Sequence, residues 1–176
     1  VNDPNACLLC DDFNDGFLSP DWTYVKQTWA ETGGALVGTP ANKKAEVIAT
    51  PIFSAGCSTC SIEVVIQNSG GDRSRQNILG WYVDKHTLVE LMIREDKDAV
   101  VLKQRINKTV VAKGKGNTTI NPGVNYKVRI SFNGTTFEVF VDDVSLFTMP
   151  AVGTPSGTFG FRVKNSTGLF DNLVIN

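Results

Sequence analysis

Between Asn77 and Arg105 the chain reads NILGWYVDKHTLVELMIREDKDAVVLKQR, and apolar residues fall at every second position through three consecutive runs. Leu79, Trp81 and Val83 form one greasy row, Val89, Leu91 and Ile93 a second, and Val100 and Leu102 a third. A period of two is the signature of a half-buried strand, because successive side chains leave a strand on opposite faces. The intervening DKHT and EDKD are too short for a crossover helix, so the runs must reverse tightly into an antiparallel meander. A chain with this centre belongs to the all-β class. The other face of the same strands holds Tyr82, Glu90, Met92, Arg94, Lys103 and Arg105, a mixture of charge and aromatic surface suited to binding.

The same alternation recurs on both sides. CSIEVVIQN places Ile62, Val64 and Ile66 inward, YKVRISF does so with Val128, Ile130 and Phe132, and TFEVFVDD with Phe137, Val139 and Val141. Asn133-Gly134 joins the last two as a hairpin. Pro51 within AEVIATPIF, residues 45 to 53, marks that strand as an edge or a bulge. Trp22 and Trp29 are packing anchors, since tryptophan is highly buried on average. The total of about a dozen strands exceeds a comfortable open sheet, so two antiparallel sheets should stack as a β-sandwich. With 176 residues and 41% hydrophobic content, one domain spanning 1–176 accounts for the whole chain.

The formal net charge of −1 supplies no overall field toward nucleic acid, and no apolar run reaches the roughly 20 residues of a membrane span. The N-terminal VNDPNAC lacks the pattern of a signal peptide. Four cysteines form two C-x-x-C pairs, Cys7/Cys10 and Cys57/Cys60. They point to disulfides in an oxidising, extracellular or cell-surface setting, or alternatively to a four-thiolate zinc site. Asn-x-Ser/Thr tripeptides at Asn107, Asn117, Asn133 and Asn165 fall in turns.

The order of DDFNDG, a tryptophan followed by GGAL, GWYVD, RISFNGTTFEVFVDD, GTFGFRV and FDNLVI resembles the concanavalin A-like jelly rolls, in particular the laminin G-like and family 16 glucanase-like groups. The resemblance spans nearly the whole chain. It implies two sheets, a concave face that often holds sugar, and a structural calcium ion joining the first and last strands. Carried over to this sequence, the calcium ligands fall on Asp12, Gly34 and Asp171, with Asp11, Asn14 and Asp15 available to complete the shell. The plainer reading of Asp12 and Asp171 is as turn formers at strand ends.

Strand alternation projects Tyr82, Glu90, Arg94, Lys103, Arg105, Arg162 and Lys164 onto the concave face, with Arg73 and Arg75 at its rim. The excess of cations over carboxylates favours an acidic polysaccharide. The alternative is a solvated face whose charges pair across strands, Glu90 with Arg105 for instance.

Catalysis has little support. Retaining glycosidases place two carboxyls about 5 to 5.5 Å apart and inverting ones about 6.5 to 9.5 Å apart. No E-x-D-x-x-E or E-x-D-x-E run occurs. Glu90 and Glu95 have opposite parity, and Glu90 and Asp96 would lie about 20 Å apart on a straight strand. Glu63 stands alone, and His86, the single histidine, sits in a turn.

These readings define a non-catalytic extracellular lectin-like module. A structural or adhesive module contacting copies of itself or neighbouring domains, and an atypical glycoside hydrolase, are the alternatives.

Overall fold

The computed structural model describes residues 7–25, 28–41, 46–51 (backbone only) and 59–176. Fifteen strands make up the described fold, in two sheets, with one short 3-10 turn at Glu95–Lys97. In chain order the strands are β1 (Leu9–Asp11), β2 (Trp22–Val25), β3 (Trp29–Glu31), β4 (Leu36–Gly38), β5 (Glu46–Pro51), β6 (Cys60–Asn68), β7 (Arg75–Asp84), β8 (Thr87–Arg94), β9 (Ala99–Ile106), β10 (Thr109–Asn117), β11 (Asn125–Phe132), β12 (Thr136–Val141), β13 (Val144–Pro150), β14 (Thr158–Lys164) and β15 (Gly168–Ile175).

One sheet runs β13-β12-β11-β6-β15-β4-β3, and the other β10-β9-β8-β7-β14-β5-β2. Every pairing is antiparallel. The expected three-strand meander continues into a fourth strand, so β7 to β10 lie side by side in chain order. At the far side of the first sheet, β4 pairs with Gly168–Phe170 of β15 while β1 pairs with Leu173–Ile175. The chain's first described strand is thereby tied to its last.

Apolar alternation decides what lies inside. Ile62, Val64 and Ile66 from one sheet meet Val89, Leu91, Ile93, Val100 and Leu102 from the other in a single buried cluster. Trp81 stands at its centre, edge-on to Phe132, Phe137 and Phe159 at ring separations of 5.4, 5.0 and 5.3 Å. Trp22 stacks on Phe161, which stacks on Phe170, and Trp29 packs against that ring in turn. Both tryptophans are buried anchors, as their composition suggested.

Three local expectations need correction. Register in β7 shifts between Gly80 and Asp84, and Trp81 adopts a left-handed φ of 46° at that bulge. A bulge inserts a residue and reverses parity beyond it. Leu79 consequently lies outside the core cluster although fully buried, and Val83 is exposed. Secondly, β5 pairs with both β14 and β2, so Pro51 marks neither an edge nor a bulge but the strand's last residue. Thirdly, Cys7 and Cys10 form a disulfide with each other, which removes them as thiolate ligands and with them the four-cysteine zinc site. Cys60 is also disulfide-bonded, and Cys57 lies outside the described residues.

The two sheets meet along one margin, where β10 crosses β13. A Cβ on Gly114 would come within 2.5 Å of the Phe147 ring, and one on Gly116 within 2.8 Å of the Leu146 Cβ. Only glycine permits that approach, because any larger residue would push the strands apart.

Candidate functional site

On the outer face of the seven-stranded sheet, the cross-strand register brings three groups of polar side chains together. Glu90 lies opposite Lys103 on β9, and Lys103 lies opposite Lys113 on β10. One row along, Asn77 faces Met92 on β8 and Arg162 on β14, Met92 faces Val101, and Val101 faces Lys115. In the next row Arg75 lies between Arg94 and Lys164.

The interior of this face is a closed network. Glu90 is 2% exposed, and its Oε1 accepts from Asn77 Nδ2 at 2.6 Å and from Arg162 Nη1 at 2.5 Å. Its Oε2 lies 3.8 Å from Arg105 Nη1. The expected Glu90–Arg105 pair therefore exists, but Arg162, itself 5% exposed, is the closer partner. Removing either partner of this buried pair would leave the other without its counter-charge in a setting of low dielectric.

Beside that network lies an open cleft of about 220 Å³. Its floor is apolar, made by Met92, Ala99 and Val101, and its walls carry Arg75, Arg94, Lys97, Lys103, Lys113 and Lys115. Arg94 is engaged by Asp96, donating from Nε at 3.2 Å and from Nη2 at 2.9 Å. The four lysines form no ion pair among the described residues. Burial lowers the Lys103 ammonium below the usual lysine range, and the charges of Arg105 and Lys113 push it in the same direction.

The residues projected from sequence fall in different places. Arg94 and Lys103 line this cleft. Lys164 lines a neighbouring one with Arg73, Arg75 and Asn165, and Arg75 lines both clefts. Glu90 and Arg162 are on the right face but buried in the network. Arg105 lies between that network and a second cleft at the end of the sandwich, which Val83, Leu88 and Val152 also line. Tyr82 is not beside these residues: it sits beyond the bulge, half-buried and opposite Thr158.

Sequence reasoning missed Lys97, Lys113 and Lys115. The signal for the last two was present in AKGKGN, where lysine alternates with glycine. Gly114 faces the interior, opposite Leu102, while the lysines on either side of it face out.

The residues assigned to calcium lie around the gap that separates β1 from β4 along β15. Gly34 and Asp171 line one cleft and Asp12 the adjacent one. Asp171 accepts from the Asn172 backbone N–H at 2.6 Å and from its Nδ2 at 3.0 Å, and Asp12 accepts from the Asn14 N–H at 3.3 Å. Asp12 thus caps a local turn, whereas Asp171 stands within β15 at its register shift rather than in a turn. Among the described residues no group of three or more acidic, histidine or cysteine side chains is placed to hold a metal, so an ion here would depend on main-chain carbonyls.

The fold is a two-sheet antiparallel β-sandwich whose seven-stranded sheet carries a cationic outer face. No protein-family model matches the sequence, and no curated protein is similar to it in sequence. Solved structures share the architecture. The carbohydrate-binding module CBM66 from Bacillus subtilis superposes with a TM-score of 0.76 at 21% identity, covering 89% of this chain and 95% of that one. The carbohydrate recognition domain of Emp47p gives 0.71 at 12% identity over 94% and 92%. The transglycosylase Crh5 gives 0.76 at 12% identity over 96% and 83%. At these identities the likeness is one of fold, and one fold hosts binding modules and enzymes alike.

Proposed function

We propose that this protein is a non-catalytic carbohydrate-binding module that holds an acidic polysaccharide on the outer face of its seven-stranded sheet. The observation that carries the reading is the cleft in which Arg75, Lys97, Lys103, Lys113 and Lys115 surround an apolar floor. Sugars are recognised by apolar ring faces together with polar groups at their edges, and this cleft supplies both with an excess of positive charge. The names of two similar structures, a carbohydrate-binding module and a carbohydrate recognition domain, support the sugar-binding part.

Two features favour binding over turnover. Glu90 is buried under Arg162 and Asn77, and Asp96 is held at both oxygens by Arg94. Glycoside hydrolysis needs a second carboxyl at a matched distance and at least one of the pair free to move a proton. An extracellular setting fits the Cys7–Cys10 disulfide, which oxidising compartments preserve. No described helix is long and apolar enough to cross a membrane.

Affinity-gel electrophoresis against a panel of neutral and acidic polysaccharides tests the reading. Wild type should be retarded by acidic members, and Lys103→Gln should weaken the retardation at least threefold, the loss of about one charge-assisted contact. Free migration through every gel would remove the proposal. Release of reducing sugar from any of them would revive the hydrolase alternative. A structural calcium ion at Asp12, Gly34 and Asp171 belongs to the same proposal: added calcium should raise the melting temperature and EDTA should reverse the rise, whereas identical melting curves would eliminate the ion.

A further inference from the structure

Two clefts of the outer face share a wall. The one that holds Lys97, Lys103, Lys113 and Lys115 is bounded on its other side by Arg75. Beyond that side chain lies a cleft of about 340 Å³, lined by Arg73, Arg75, Lys164 and Asn165. The strands here run in the order β14-β7-β8-β9-β10, so the clefts lie side by side across the strands rather than along one of them.

Arg75, at the join, has an unusual setting. Its cross-strand neighbours are Arg94 on β8 and Lys164 on β14, a cation on each side. Like charges placed opposite one another destabilise a sheet. The Arg75 Nε is buried without a hydrogen-bond partner, and the residue forms no ion pair among the described residues. Asp96 directs both oxygens to Arg94 rather than to Arg75. A buried donor left unpaired is costly, and a negatively charged acceptor laid between these cations would relieve both strains at once.

We propose that the two clefts form one track, crossed by a single anionic glycan chain from Arg73 and Lys164 to Lys113 and Lys115, with Arg75 donating to it at the join. This rests on the carbohydrate-binding reading above and names the form of the ligand: the interior of an extended chain that repeats its charge along successive sugars. From β14 to β10 is four interstrand spacings, about 19 Å, a span longer than a disaccharide. Guanidinium forks and rotatable ammonium groups both meet oxyanions, so the track selects by length and charge spacing, not by the type of acid.

Heparin-derived oligosaccharides carry carboxylates and sulfates together and can be prepared at defined lengths. Titration calorimetry of the full chain should give one octasaccharide per protein, bound at least tenfold more tightly than the disaccharide. Arg73→Gln alters only the second cleft and Lys113→Gln/Lys115→Gln only the first, and each should reduce that ratio at least threefold. Arg75→Gln should reduce it most without lowering the melting temperature of the free protein, because it takes a cation from between two others. Lys127→Gln, which removes a lysine paired with Asp143 on the opposite sheet, should leave binding unchanged.

Two octasaccharides per protein would overturn the single track while leaving an acidic-glycan module standing. So would a length ratio that Arg73→Gln leaves intact, or an Arg75→Gln protein that melts lower and keeps the ratio. Failure of every oligosaccharide and polysaccharide to bind, or tighter binding of a single-stranded octanucleotide than of the octasaccharide, would instead overturn the functional reading itself.

Discussion

Arg162 is 5% exposed and donates to Glu90 at 2.5 Å, so replacing Glu90 by Ala leaves a guanidinium buried without its nearest counter-charge. Breaking one side of a buried pair typically costs about 3 to 5 kcal/mol. Urea unfolding of Glu90→Ala should show a loss of that size, and Glu90→Gln, which keeps an acceptor for Asn77 and Arg162, a smaller one. A second buried carboxyl behaves differently. Burial raises Glu31 to about 7, helped by a hydrogen bond to Asp15 and by the charges of Asp15 and Asp11. An acid whose folded value lies above its unfolded one binds more protons in the native state. Its contribution is therefore complete below about 4.5 and is lost as pH rises through about 7. The upper limit is ~3 kcal/mol. Melting temperature should fall between pH 5 and pH 8, and Glu31→Gln, which mimics the protonated acid, should flatten that fall.

Among the elements, those with unbroken alternation were legible in the sequence. In β6, β8, β11 and β12 every residue assigned to the interior by period two is in the core cluster, because a one-residue slip would expose an entire apolar row. β7 was not legible on either side of its bulge except at Trp81, since Ile78 rather than Leu79 enters the core before it and Val83 is exposed beyond it. Its bulge turns Trp81 into the core by a left-handed backbone rather than by parity, and Leu79 and Tyr82 were misplaced as a result. The site was half legible for a related reason. Charges on β8, β9 and β14 could be projected from alternation, but the closing contact of β10 on β13 joins residues far apart in the chain, and only that contact explains why glycines interleave with lysines. Gly114→Val tests it. The added side chain meets the Phe147 ring, an overpacking that should cost about 1 to 3 kcal/mol in thermal or urea unfolding. Trp81→Ala removes the ring shared by Phe132, Phe137 and Phe159 and should cost about 3 to 5 kcal/mol.

For the molecule as a whole, a net charge of −1 conceals a division of labour. One sheet face gathers uncompensated lysines around a cleft, while on the other sheet Lys127 pairs with Asp143 and Arg129 approaches Glu63. A protein of this kind is not drawn to polyanions by its overall field, so attraction should act only at close range. The screening length falls from about 10 Å at 0.1 M salt to about 3 Å at 1 M. Glycan affinity should drop steeply over that interval, whereas the unfolding midpoint, set by the apolar core, should not drop with it; parallel titrations and melts at several salt concentrations separate the two.

The bare inner face of β10 has one further implication. Since Gly114 and Gly116, with Ala112, bear the closure of the sandwich on that strand, Lys113 and Lys115, both exposed, are released from packing duty. Versions of this chain that differ only at those two outward positions should melt alike yet hold polyanions with different strength, a dial mounted on a frame that does not feel it turn.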